Sequence, residues 1–373
     1  MIRILSRATP EYESATQWRL MWLKFKRHRL AIAGSAVLAL FYAMGLFCEF
    51  LSPHDPYERF TEYLYAQPQR LHFIDADGRL HLRPFVYGIT RTVDMVSLRR
   101  LYSEDRTVRY PVRLFPRRHS YRFWGLFETD RHLFGVDRPG VIFLFGTDKL
   151  GRDLFSRLLY ASRISLSVGL IGVAMSFVLG CILGGVSGYF GGTADLLIQR
   201  LIEFLISIPT IPLWMALSAS LPHHWTPLRV YFFITLILSI VAWSGLARVV
   251  RGKVISTRSE DFVTAARLAG VRNGTIIVRH LLPSFVSYLI VSLTISIPNM
   301  ILGETALSFI GLGLKDPVNS LGVMLQNVTN ADVLLNYQWY FIPVLFFITL
   351  VLAFVFVGDG LRDAADPYAD IQK

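Results

Sequence analysis

Residues 259–283 read SEDFVTAARLAGVRNGTIIVRHLLP, a polar stretch with three arginines lodged between two long apolar runs. Ser259 can cap a helix start, and Glu260 and Asp261 then sit in the first turn, where the helix dipole favours anions. Gly270 suits the position just past a helix end, and Pro283 opens the next helix where no N–H is needed. The spacing i, i+1, i+4, i+5 places Ala265, Ala266, Ala269 and Gly270 on one face almost free of side chain. Two readings of that face are open from the residues alone. It is a smooth knob seated in a groove of a partner protein, or it is an alanine-rich surface helix.

Composition frames the stretch. The chain has 373 residues, 53% hydrophobic and 17% charged, with mean hydropathy +0.44. Soluble proteins carry about a quarter charged residues, so a membrane protein is expected. The formal charge of +11 and pI of about 9.8 then read as basic residues flanking membrane helices, not as a nucleic-acid footprint. Cys48 and Cys181 both lie inside apolar runs and read as small buried hydrophobes without a disulfide framework.

Crossing a bilayer takes roughly 20 apolar residues. Six segments qualify: Leu30–Leu51, Ser165–Phe190, Leu197–Leu221, Leu228–Val250, Phe285–Leu312 and Trp339–Gly358. The expected fold is an all-α membrane protein of six transmembrane helices. The basic cluster KFKRHR, Lys24–Arg29, precedes the first and sets the N-terminus in the cytoplasm. That first run is too long for a signal-peptide core and no small-x-small site follows, so it reads as a retained anchor. Parity puts residues 52–164 outside, the Gly191–Leu196 turn inside, PHHWTP outside, the 259–283 stretch inside, Gly313–Gln338 outside and the C-terminus inside. Charge agrees, because Arg248–Pro283 holds seven Lys or Arg residues and Gly313–Gln338 holds only Lys315.

The resulting division is a cytoplasmic N-terminus (1–29), a first helix (30–51), an extracytoplasmic subdomain with an interfacial helix (52–164), a five-helix core (165–358) carrying the loop 251–284, and a cytoplasmic tail (359–373). The outer segment is too long for a connector. Its RLHFIDADGRLHLRPF, Arg70–Phe85, alternates apolar and polar residues on both sides of Asp77-Gly78 and predicts a β-hairpin. DADG lacks the later ligands of a calcium loop and reads as a turn. In FGTDKLGRDLFSRLLYASRISLSVGL, Phe145–Leu170, the residues Leu154, Phe155, Leu158 and Leu159 recur at helical spacing beside Asp153, Arg157 and Arg163. This predicts an amphipathic interfacial helix leading into the second span.

Each remaining feature carries a functional and a structural reading. Glu203 and Glu304 lie in or near spans, where an ionisable group is costly and marks a path or gate by default; Glu203 is also three residues from Arg200 and can pair with it. Pro209, Pro212 and Pro298 interrupt backbone hydrogen bonding within spans, as hinges of a path or as static kinks. GCILGGVSGYFGG, Gly180–Gly192, supplies small residues for close helix packing. His223 and His224 have no third ligand in sight, so no metal is expected. The chain has no G-x-x-x-x-G-K-[ST] phosphate loop and no nucleophile–base pair, so no catalytic site and no ATP hydrolysis of its own.

The stretch TAARLAGVRNGTIIVRHLLP resembles the cytoplasmic coupling-loop motif of ABC-importer permeases: Glu-Ala-Ala, three residues, Gly, nine residues, Ile-x-Leu-Pro. Ala265, Ala266, Gly270, Leu282 and Pro283 stand at matching spacing, with Thr264 in place of the glutamate and His280 in place of the isoleucine. DFVTAARLAG, from Asp261, is similar to the dipeptide/oligopeptide branch, as are FGTDKLGRDLFSRLLYASRISL, RLIEFLISIP, ILGETALSFIGLGL and GDGLRDAADP. The likeness runs from Gly140 to the C-terminus and includes the first helix; nothing familiar covers Pro56–Gly135. It implies a type I importer permease in the bacterial inner membrane, multi-pass with both termini cytoplasmic, moving peptides or similar small solutes. The implied partners are a second permease chain as a heterodimer, two cytoplasmic ATPase subunits holding the ATP and Mg²⁺, an extracytoplasmic solute-binding protein and the lipid membrane, with no nucleic acid. The coupling residues would be Asp261, Ala265, Ala266, Gly270, Leu282 and Pro283, and the path or gate Glu203, Pro209, Pro298 and Glu304. Oligosaccharides and metal complexes are alternative cargoes. An ATP-independent transporter, which inverted repeats and buried charge pairs would favour, and a sensor built on the outer subdomain are the rival classes.

Overall fold

A backbone in hydrocarbon must satisfy its N–H and C=O groups within itself, so the apolar runs form helices. The computed structural model describes residues 17–95, 99–222 and 224–365; expectations for residues 1–16, His223 and the tail beyond Ala365 lie outside the described residues. In chain order the elements are α1 (Gln17–Arg27), α2 (Arg29–Leu46) and α3 (Cys48–Leu51), then β1 (His72–Ile74), β2 (Leu80–Val93), β3 (Arg100–Pro111), β4 (Arg113–Leu114), β5 (Arg117–Phe123), β6 (Phe127–Arg131) and β7 (Phe134–Gly135). There follow α4 (Leu154–Phe190), α5 (Gly192–Ser207), α6 (Thr210–Ala219), α7 (Pro227–Thr257), α8 (Asp261–Leu268), α9 (Asn273–Thr275) and a π-helical turn, Ile276–Leu281. The chain closes with α10 (Leu282–Ser284), α11 (Val286–Phe309), α12 (Leu321–Val328), α13 (Ala331–Asn336), a 3-10 turn at Gln338–Phe341 and α14 (Ile342–Ala365).

Among the described residues five helices are long and apolar enough to cross a membrane, and α5 with α6 supplies a sixth if that pair is one span. The pair is bent by 87°, so the third run is not one straight helix. Proline explains the position. The residue before it is driven out of the α region, and Ile208 is extended at φ −91°, ψ 129°. Pro212 breaks nothing, because it falls in the first turn of α6, where its missing N–H has no helical partner to lose. α11 continues through Pro298.

The chain forms two compact units. One collects residues up to Ala39, Val168–Glu304 and the segment from Thr349. Within it α4 meets α7 along a glycine seam. A Cβ on Gly180 would lie 2.9 Å from the Leu246 side chain, on Gly184 2.5 Å from the Ala247 carbonyl oxygen, and on Gly188 2.8 Å from that of Arg251. Spaced four residues apart, Gly184 and Gly188 thus let α4 and α7 touch backbone to backbone and Gly180 makes room for the Leu246 side chain, the small-residue packing common in membranes.

The other unit holds Leu40–Ser167 and Thr305–Ile348. β1, β2 and β3 form an antiparallel sheet in that order. The Asp77-Gly78 turn stands where the alternation placed it, with Gly78 at φ +81° and Ile74 paired to Leu80. The interfacial helix expected to lead into the second span is not a separate element. It is the start of α4, which runs unbroken for 37 residues, and Arg157 on its supposed wet face is 1% exposed. The helical period is the same whether a polar face meets water or a buried partner. Here it meets partners. Arg152 Nε and Arg157 Nη1 each donate to Asp148 Oδ2 at 2.6 Å, and Arg152 Nη1 and Arg157 Nη2 reach Asp316 Oδ1 at 3.1 and 3.0 Å. Arg157 Nε also donates to Asn319 Oδ1 at 2.7 Å. Burial would raise the Asp316 pKa, but Arg157 and Arg152 overcome it and hold the carboxyl below its ordinary value. Asp153 caps α4 by accepting the Ser156 N–H at 3.0 Å, and its burial pushes that carboxyl up to about 7.

Breaking a buried ion pair strands the remaining charge, at a cost of about 3–5 kcal/mol. Arg157→Ala is therefore expected to lower the melting midpoint of the detergent-solubilised protein sharply, with Arg157→Lys recovering only part, since an ammonium lacks the guanidinium fork. An unchanged midpoint in Arg157→Ala would show that the network does not hold this unit together.

Candidate functional site

The helix anticipated within 259–283 is α8, two turns long. Its cap is Glu260, not Ser259: Glu260 is extended at φ −67°, ψ 153° and makes no side-chain cap bond. Its carbonyl accepts the N–H groups of Val263 and Thr264 at 3.0 and 3.1 Å. At the other end the Gly270 N–H donates to Arg267 O at 3.0 Å and the Val271 N–H to Ala266 O at 3.1 Å. This pair of bonds is the Schellman stop, and it needs a left-handed residue between them. Gly270 supplies that at φ +75°, with nothing within 4 Å of where a Cβ would stand. The glycine is required by conformation, not by space.

The four small residues do not share one outward face. Ala266 is buried with Val263 against Val250, Val254, Ile276, Ile277 and Leu281. Ala265 and Ala269 face out, beside Phe262 at 43% and Leu268 at 86% exposure. The helix is too short to bury anything alone, so Val263 and Ala266 must anchor it, and this fixes which side remains open. The open side is a compact apolar surface with a leucine at its end. Asp261 is exposed in the first turn, Leu282 packs against the anchoring cluster, and Pro283 is exposed at the start of α10.

A polar clamp ties α8 to the helices behind it. The Tyr189 hydroxyl accepts from Arg267 Nε at 3.2 Å and donates to Asn273 Oδ1 at 2.8 Å, and the Arg267 guanidinium lies 5.0 Å from the Tyr189 ring centroid. Arg258 donates to the Gly188 and Tyr189 carbonyls at 3.0 and 3.3 Å. Arg251 makes a two-pronged pair with Asp195, both bonds at 2.6 Å. The sequence reading missed Tyr189, Asp195 and Asn273. The only trace they leave is an aromatic and an acid on either side of Gly191-Gly192.

In the same unit a cavity of about 420 Å³ opens at the bend between α5 and α6. Its polar lining comes from Ser176, Thr210, Ser244, Ser292, Ser296 and Asn299, and no charged residue contributes. None of the four anticipated path residues lines it. Glu203 is exposed and paired with Arg200 at 2.8 Å, and Glu304 is wholly buried. The two prolines act one step removed. Pro209 makes the bend that brings Ile206 and Thr210 to the cavity, and Pro298 lies between Ser296 and Asn299 on α11. Among the described residues no three His, Cys, Asp or Glu side chains stand close enough to hold a metal ion.

The family described as "Binding-protein-dependent transport system inner membrane component" matches residues 176–370, and the N-terminal transmembrane domain of oligopeptide transport permease C matches residues 16–68. Residues 69–175 lie between the two matches. The chain is 39% identical over 224 residues to an oligopeptide transport system permease protein of Haemophilus influenzae, covering 60% of this chain and 70% of the relative. It is 38% identical over 232 residues to a dipeptide transport system permease protein of Bacillus subtilis, covering 61% and 70%. A chain of a solved methionine ABC transporter in inward-facing conformations aligns at 18% identity and TM-score 0.42, covering 56% of this chain and 96% of its own, too distant to bear on the reading.

A side chain in the left-handed region costs roughly 1–2 kcal/mol. Gly270→Val is therefore expected to speed amide exchange across residues 261–272 by about five- to thirtyfold, with Gly270→Asn closer to wild type. Equal exchange in all three proteins would remove the conformational requirement for glycine.

Proposed function

The chain belongs to the family of binding-protein-dependent transport inner-membrane components and is a membrane-spanning permease of an ABC importer, and on that premise we propose that α8 is its coupling element. The reading places 259–283 and both termini in the cytoplasm of a bacterium, with the chain in the inner membrane. α8 seats its open side, Phe262, Ala265, Leu268 and Ala269, in a cleft of a separate ATPase subunit that carries the ATP and Mg²⁺. This chain binds neither. Asp261 stands at the entry of that contact, Gly270 ends the helix so that its last turn stays short, and Leu282 and Pro283 carry the chain back to α11.

The observation that carries this reading is that α8 is locked behind and open in front. Val263, Ala266 and the Tyr189 clamp fix it to α4 and α7, so a push on the open side moves the spans. A helix meant only to connect two spans has no need of an 86% exposed leucine. On this reading a second permease subunit faces the α5–α6 bend and completes the path, and a solute-binding protein delivers cargo at the opposite membrane face. The neutral hydroxyl and amide lining suits peptides, whose backbone offers donors and acceptors at every residue. The peptide transport named for the relatives supports the same class.

Leu268→Arg tests the contact. A central interface anchor is worth about 2 kcal/mol or more, so uptake of a radiolabelled peptide by cells carrying the complete transporter should fall about thirtyfold, with the variant still in the membrane. Normal uptake in Leu268→Arg at normal abundance would overturn the assignment of α8.

A further inference from the structure

We propose that the β5–β6 hairpin is a lipid-binding tip: it dips into the bilayer beside the first span and holds one anionic phospholipid against it. The function proposed above assigns this hairpin no part. Its turn reads FWGLF, Phe123–Phe127, and three of these large apolar side chains stand open, Trp124 at 50%, Leu126 at 83% and Phe127 at 57%. Such a cluster is unfavourable in water.

Two hydrogen bonds fix which way the hairpin points. At its base the Leu133 N–H donates to Phe50 O at 2.8 Å, in α3. At its tip Trp124 Nε1 donates to Leu46 O at 2.9 Å, the last residue of α2. The strands therefore run back along the helix toward the span. α2 has 18 residues, roughly 27 Å at 1.5 Å each and close to a full hydrocarbon thickness, so Leu46 lies at the hydrocarbon edge. The tip lies at that level. Tryptophan with arginine above it is the composition of a membrane interface, and the Arg163 guanidinium lies 4.6 Å from the Trp124 ring centroid.

Between the hairpin and the helix is a groove of about 610 Å³. Leu40, Met44 and Phe47 form one wall, and Phe123 and Phe127, paired across the strands, form the other. The Phe47 and Phe123 rings stack at 6.0 Å. At the base end, away from the tip, Arg131 joins the lining, and the strand pairing places it opposite Arg117. An apolar slot opening toward hydrocarbon, with a cation at its aqueous end, matches an acyl chain and a phosphate in order and in charge. The occupant is a phospholipid of the surrounding leaflet.

The test uses the assembled transporter in nanodiscs of phosphatidylglycerol and phosphatidylcholine. A nitroxide at Leu126→Cys reports depth, and the two native cysteines are buried and do not compete for label. The label should be relaxed by oxygen and protected from a water-soluble nickel chelate. Relaxation by the nickel chelate would place the tip in water. Protection from both reagents would mean that a protein, a second copy or a subunit, covers it. Either result overturns the proposal. An arginine at an anionic surface is worth about a fivefold preference. Arg131→Gln should therefore lower the phosphatidylglycerol-over-phosphatidylcholine ratio retained on the protein in native mass spectrometry by about that factor, and an unchanged ratio would remove the phosphate site.

Discussion

The close approach of α4 and α7 is the constraint on which the placement of α8 rests. Lipid is as apolar as leucine, so no hydrophobic force draws two helices together inside a bilayer; shape and dispersion must do it. Gly184 and Gly188 allow contact with the α7 backbone itself, and Gly180 makes room for the Leu246 side chain. From that seam α7 runs on to Thr257, and only residues 258–260 separate it from α8. Arg258 bonds to the carbonyls at the end of α4, and Arg251 to Asp195 of α5, within the same few turns. Force applied to α8 is therefore felt by three helices together. Without the glycines α7 would stand further off, and the Tyr189 clamp would not close.

What the sequence makes legible follows from what the bilayer demands. Contiguous apolar length is a requirement, and so all six runs could be placed, although Leu197–Leu221 is two helices at 87°. Pro209 was visible as an interruption. The size of the bend was not, because it depends on what α6 packs against. The Asp77-Gly78 hairpin was legible because its turn chemistry is local. The short helix in 259–283 was legible by spacing, yet its face was misjudged. On a helix of eight residues, Ala265 and Ala266 are 100° apart, and Val263, which decides the inward side, carries no signal that marks it out. Least legible were contacts between distant segments. Arg157 meets Asp316 across 159 residues and Arg251 meets Asp195 across 56, and a single sequence records neither.

The buried ion network bears on the rival readings. Buried charge pairs were the feature that would favour an ATP-independent transporter, and the sequence showed none. The structure has them, at Asp148, Arg152 and Arg157, with Asp316 joining from a more exposed position. Their setting answers the point. A proton or ion relay needs a group that can lose its partner and reach water along a path. Here two arginines and two aspartates compensate each other, with Asn319 Oδ1 accepting a further Arg157 N–H and the Arg152 backbone N–H taking a lone pair of Asp148. Such an arrangement fixes a loop to a helix, and Arg157 at 1% exposure has no route to exchange its partners. Charge burial alone does not make a relay.

On the proposed reading of it as part of the path, the neutral cavity follows the same logic from the other side. A site that passes cargo must bind weakly enough to release it. A charged wall facing a charged peptide terminus in low dielectric would hold it too long, or repel it, because Coulomb terms grow as water is excluded. Hydroxyl and amide groups contribute only about 0.5–1.5 kcal/mol per hydrogen bond, net of the water they replace. Ser176, Ser244, Ser292 and Ser296 also bond within their own helices or leave short side chains that cost little when empty. With Glu203 turned to Arg200 and Glu304 buried, the acids stay out of the way. Selectivity on such a wall is low, which is tolerable in a permease of a family named for its dependence on binding proteins, where recognition precedes entry.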